Sequence, residues 1–135
     1  MNYTSVEQSK HLLELGLSPE TADIFLPCYG GNDYAENRPY FREHVYAPDK
    51  EDLPCWSVGA LLNLMPPYLF EWDRGIDLQI YPHLNKKHGW IVSYMPNNVE
   101  SMQRDKFRQN CHADTLIEAA YNMVVWLLEN NYIEK

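Results

Sequence analysis

Residues Thr115 to Ile133 read TLIEAAYNMVVWLLENNYI, and this stretch decides how the chain is built. Thr115 and Glu118 have the spacing of a capping box, so a helix is expected to start there and run over 115–131. On a helical wheel Glu118, Asn122 and Glu129 fall along one narrow strip, with Val125 on that strip and Trp126 beside it. The remaining positions through Leu128 are Leu116, Ile117, Ala119, Ala120, Tyr121, Met123, Val124 and Leu127. A polar strip this thin cannot be a whole solvent face. Such a helix must be covered on several sides, inside its own domain or against another chain. In the second case Val125 and Trp126 are the residues expected at the contact.

The segment before it offers a sheet to cover. Ile76, Leu78 and Ile80 alternate with Asp77, Gln79 and Tyr81, the period of a strand with one buried face. Trp90, Val92 and Tyr94 alternate in the same way with Ile91, Ser93 and Met95. The stretch from Pro82 to Gly89 separates the two runs, which predicts an antiparallel hairpin over 76–95. Further upstream, Ser57 is placed to cap a helix over 57–65. Trp56 and Leu61 occupy the two positions of a hydrophobic staple, and Pro66-Pro67 ends the helix. Nearer the start, Thr4 or Ser5 caps a helix over 5–15, completed by Glu7 or Gln8 and stopped by Gly16. Ser18-Pro19-Glu20-Thr21 has the pattern of a second start, so a short helix over 19–25 is expected to pair with the first through Leu12, Leu13, Leu17, Ile24 and Phe25. Residues 27–54 are irregular, with one strand expected in 40–46 and a charged loop at 48–52. Residues 99–113 read as part helix and part loop.

The expected fold is therefore α+β: one domain spanning 1–135, a small antiparallel sheet of two to three strands, and helices around it. Helices 57–65 and 115–131 are expected on one face of the hairpin. A length of 135 residues suffices for one core, and 45% hydrophobic with 22% charged residues is a globular composition.

Charge bounds the partners. The net charge is −8, and residues 1–54 hold ten acids against four bases, −6 of the total. An acidic chain repels phosphate backbones, so the balance runs against nucleic acid and leaves room for a basic protein partner; a second copy is the partner that the surplus apolar helix surface would imply instead. The three cysteines, odd in number and widely spaced behind a polar start, fit reduced thiols in the cytoplasm. The apolar run Met123–Leu128 is too short to span a bilayer, so no membrane association is expected.

No catalytic, cofactor or metal motif is present. His83 and His88 flank the hairpin loop and Cys111-His112 are adjacent, but zinc needs four convergent ligands and neither spacing supplies them. Cys55, ahead of a helix start, reads as a small buried packer before it reads as a reactive thiol. Glu71, Asp73 and Asp77 surround Arg74. An unrecognised acidic site at Asp73, Asp77 and His83 is one alternative, requiring those groups to converge. A basic patch of Lys86, Lys87, Arg104, Lys106 and Arg108 beside Trp90 and Phe107, interrupted by Asp105, is the other, and it implies a nucleic-acid binder.

Three segments carry a resemblance. Leu53 to Leu62 fits a PCWSxGxLL element. Asp114 to Glu129 fits a DTxIEAxYNMxxWLLE tail, and Glu7 to Leu17 fits the matching start. Together they resemble a family of small uncharacterised Bacteroidetes proteins, often found in phage or mobile-element settings. Members often carry proline after the Thr cap, where this chain has Leu116. The resemblance implies a setting and transfers no catalytic residue. The function expected from all of this is that of a non-enzymatic accessory or protein-interaction protein, possibly phage-related.

Overall fold

A computed structural model describes residues 2–30, 33–71, 74–83, 89–96 and 109–134. Among these residues it is an α+β structure with three α-helices and antiparallel sheets. The helices are α1 (Val6–Glu14), α2 (Val58–Leu64) and α3 (Leu116–Glu129).

The first half of the chain forms short strands: β1 (Ile24–Leu26), β2 (Cys28–Gly30), β3 (Asp33–Tyr34), β4 (Tyr40–Phe41) and β5 (Leu53–Cys55). β1 lies between β4 and β5 in a three-stranded sheet, while β2 and β3 form a separate hairpin. The second half forms a four-stranded meander in the order β6 (Tyr68–Glu71), β7 (Arg74–Pro82), β8 (Trp90–Pro96) and β9 (Gln109–Ala113).

The helix starts follow side-chain chemistry. Ser5 Oγ accepts from Gln8 N at 3.1 Å and Gln8 Oε1 accepts from Ser5 N at 3.0 Å, a reciprocal capping box. Ser57 Oγ accepts from Ala60 N at 3.1 Å, and Thr115 Oγ1 accepts from Glu118 N at 3.3 Å. Two helices end in Schellman turns. Gly16 holds φ +95° after α1, with Gly16 N bonded to Leu13 O and Leu17 N to Leu12 O. Asn131 holds φ +61° after α3, with Asn131 N bonded to Leu128 O and Tyr132 N to Leu127 O.

The expected helix at 19–25 is corrected. Ser18 caps and Pro19 starts a turn, but it is a single 3-10 turn, Pro19–Thr21, and the chain then extends into β1. Ile24 and Phe25 pair with Cys55 and Pro54, so cross-strand pairing outweighs the weak helical pattern. The strand expected over 40–46 is Tyr40–Phe41 alone, followed by a 3-10 turn at Arg42–His44. The sheet is also larger than two or three strands, because β6 and β9 flank the hairpin. Residues 109–113, left between helix and loop by their polar composition, are β9; residues 99–108 lie outside the described set.

The pillar role of α3 is visible in its packing. Its principal neighbours are β8, β9 and α2. Ala119, Ala120, Met123, Val124, Leu127 and Leu128 are fully buried, whereas Glu118, Asn122 and Glu129 are exposed. They share one core cluster with Trp56 and Leu61 of the α2 region and with Val92, Tyr94 and Cys111 of the sheet. α3 thus covers the hairpin as expected, while α2 packs chiefly on α3. The end of α2 is tied to the sheet by the Tyr94 hydroxyl, which donates to Pro66 O at 2.7 Å. Among the described residues no helix is long and apolar enough to cross a membrane.

Candidate functional site

The residues singled out from sequence do not assemble into one site. Asp77 and His83 lie six positions apart on and just past β7, which places them about 20 Å apart along an extended strand. Asp73 lies outside the described residues, as do Lys86, Lys87, His88, Arg104, Lys106 and Arg108. Cys111 and His112 point to opposite faces of β9: Cys111 is buried in the core and His112 is exposed. His83 instead meets His112, with ring centroids 4.6 Å apart at 53°. Gly89 makes room for this pair. It holds φ +136°, and a Cβ there would come within 2.8 Å of His112 Nε2. Sequence spacing hid the pairing because nothing in QNCHA announces β9. Among the described residues no group of three or more His, Cys, Asp or Glu side chains could hold a metal ion.

Cys55 is fully buried in the second core cluster with Ile24, Leu26 and Leu53. Burial pushes its thiol up to about 11, so it packs rather than reacts. Val125 and Trp126 are half-buried against the main core. The Trp126 ring stacks on Tyr132 at 5.3 Å, where the chain folds back after α3.

A different segment presents apolar surface. The exposed large hydrophobic residues among those described are Tyr29, Phe41, Val45, Tyr46 and Tyr68. Three of the five fall within 41–46, and the Tyr46 ring is fully exposed. The segment is pinned at its base. Arg42 Nε donates to Ala22 O and Arg42 Nη2 to Pro19 O, both at 2.9 Å. The guanidinium lies 4.8 Å from the Phe25 ring centroid, a cation–π contact, and Nη1 stands 3.7 Å from Glu20 Oε2. Beside it, Tyr40 stacks on Phe25 at 5.6 Å and donates its hydroxyl to Asp52. Burial and this bond to Asp52 raise the Tyr40 phenol to about 12. Asp52 also accepts from Cys28 N at 3.0 Å, which ties the 48–52 loop to β2.

Arg42 divides two clefts. One of about 390 Å³ is lined by Asp23, Phe41, Arg42 and Glu43. The other, about 260 Å³, is walled by Pro19, Phe25, Pro48 and Pro54, with Glu20 and Asp49 among its polar groups. A third cleft of about 430 Å³ runs from Asp23 along Ser57, Gly59 and Asn63. Asp23 belongs to two of them, but both its carboxylate oxygens are occupied by Ser57, one by the backbone N–H at 2.9 Å and one by the hydroxyl. That carboxylate holds the entry to α2, a structural task. The clefts offer apolar walls with acids around them and no convergent nucleophile, base and oxyanion donor. No protein-family model, curated protein or solved structure matches the chain.

Proposed function

We propose that this chain is a non-enzymatic accessory or interaction protein that docks a protein partner through the segment Phe41–Tyr46. One observation carries the reading: Phe41, Val45 and Tyr46 are exposed together on a stretch anchored by Arg42. Exposed apolar groups held on a rigid base lose little conformational freedom on binding, which is what a contact surface needs. Val125 and Trp126 pack on their own core, so Phe41–Tyr46 is the better-presented surface. The partner is basic, because the half of the chain that carries this segment holds a charge of −6 (ten acids, four bases). The same charge opposes a face-to-face dimer of two copies. Three free cysteines suit a cytoplasmic setting, and the motifs at Leu53–Leu62 and Asp114–Glu129 suit a phage or mobile-element context.

The test is affinity capture from an extract of the source cells, with the native chain and a Phe41→Ser/Tyr46→Ser variant side by side. The expected result is a basic protein held by the native chain and depleted at least about tenfold with the variant, at equal thermal midpoint. Equal recovery by both, or no protein enriched over the bare resin, contradicts the reading.

A further inference from the structure

We infer that His83 and His112 form a two-ligand site for a divalent transition-metal ion, with zinc the expected occupant. The sheet builds the site. β7, β8 and β9 lie side by side, and Tyr81, Ile91 and His112 share one register row. His83 stands two residues past Tyr81, and Gly89 two before Ile91, so the pleat puts both on the face that His112 occupies. His83 N donates to Gly89 O at 3.0 Å, which carries the β7–β8 ladder to this point. The middle strand therefore presents no side chain between the two histidines. Their strands lie about 9.6 Å apart, twice the spacing of neighbours. The rings reach over Gly89 from either side and meet with centroids 4.6 Å apart. A Cβ on Gly89 would come within 2.8 Å of His112 Nε2, so the glycine is what lets the rings converge.

The separation suits two imidazoles on one ion. A metal–nitrogen bond of about 2.0–2.1 Å places the ion about 3.2 Å from each ring centre, and ligand angles of about 90–110° then set the two centres about 4.5–5.2 Å apart. The observed 4.6 Å lies within that span. Each imidazole has two nitrogens, so one can hold the ion while the other bonds elsewhere, as ligating histidines commonly do. His112 is exposed and His83 half-buried, so solvent reaches the pair. Among the described residues no third His, Cys, Asp or Glu joins them, and water completes the coordination.

Ligand chemistry selects the ion. Imidazole suits zinc, nickel and copper, whereas magnesium and calcium take oxygen ligands. An ion on this pair ties the end of β7 to β9, two strands that do not pair with each other, across β8. It clasps one end of the sheet, and because the unfolded chain does not hold the two rings together, it stabilises the fold by mass action. The inference goes beyond the docking segment at Phe41–Tyr46, which lies on β4 and the turn after it, outside this sheet, and supplies no ligand.

The experiment is calorimetric titration of the chain with zinc chloride and, separately, with magnesium chloride, alongside His83→Ala, His112→Ala and His11→Ala variants. The native chain is expected to take up one zinc ion saturably and no magnesium, and its thermal midpoint to rise when zinc is present. His83→Ala and His112→Ala are each expected to weaken zinc binding at least about tenfold, with the metal-free midpoint held, and His11→Ala to bind as the native chain does. Nuclear magnetic resonance of the histidine ring carbons gives a second reading on the unaltered chain, in which zinc is expected to shift the His83 and His112 signals and leave that of His11. The inference fails if zinc does not saturate at one ion per chain, if magnesium binds equally well, if either variant at position 83 or 112 binds like the native chain, or if zinc leaves those two ring signals in place.

Discussion

At the scale of single residues, Ser93 stands out. Its side chain is fully buried, and its hydroxyl has no hydrogen-bond partner among the described residues. A buried hydroxyl left unpaired costs free energy, so removing it costs none of the usual penalty. Ser93→Ala is expected to leave stability unchanged or raise it by up to about 1 kcal/mol, as read from urea midpoints. A loss above about 1 kcal/mol would mean the hydroxyl is satisfied after all. Titration makes a second residue-scale prediction. Burial raises the Cys55 thiol from 9.0 to about 11, and burial with the Asp52 contact raises the Tyr40 phenol from 10.0 to about 12. Both groups keep their protons longer in the folded chain than in the unfolded one. Their contribution is complete below pH 9 and is lost as pH climbs through 11 and 12. Urea midpoints should therefore hold steady from neutrality to about pH 9 and fall beyond it. A midpoint that rose in that range would reverse the sign and contradict both assignments.

At the scale of elements, the legible features were those set by local chemistry. Ser5, Ser57 and Thr115 cap helices because a side-chain oxygen can reach an orphan N–H from those positions, and the composition of nearby residues announces it. The alternation in 76–81 and 90–95 likewise reports a face buried beneath a helix. The short strands were not legible. Leu53-Pro54-Cys55 contains a proline that cannot donate to a ladder, and it is tolerated because β5 is an edge strand. The Gln109–Ala113 strand is mostly polar and exists because β8 offers a free edge. Two- and three-residue strands take their stability from partners distant in sequence, which no local pattern encodes. The proposed docking segment was not legible for a related reason: YFREHVY has strand composition, and nothing in it announces that the strand stops at Phe41 and a 3-10 turn follows. The end of α3 gives an element-scale prediction. Asn131 occupies the left-handed region, where asparagine is tolerated and β-branched residues are not. Asn131→Val is expected to cost about 1–2 kcal/mol in chemical denaturation, and Asn131→Gly to be neutral or stabilising. Equal stabilities for the two variants would show that the Schellman turn contributes nothing to the helix end.

At the scale of the molecule, α3 organises everything else. The four-stranded sheet and α2 both pack on it, the first half of the chain joins the same core through Leu12, Leu17 and Phe25, and the return of Tyr132 onto Trp126 closes its end. The aromatic segment Phe41–Tyr46 belongs to the acidic half, pinned over β1 by Arg42. A molecule built around one buried helix should lose that helix only when the whole fold opens. Native-state hydrogen exchange followed residue by residue reads this directly. The account predicts that the amides of Ala119 to Leu128 exchange last and with the free energy of global unfolding. Exchange of those amides through local opening, faster than the strands β7 and β8, would contradict it.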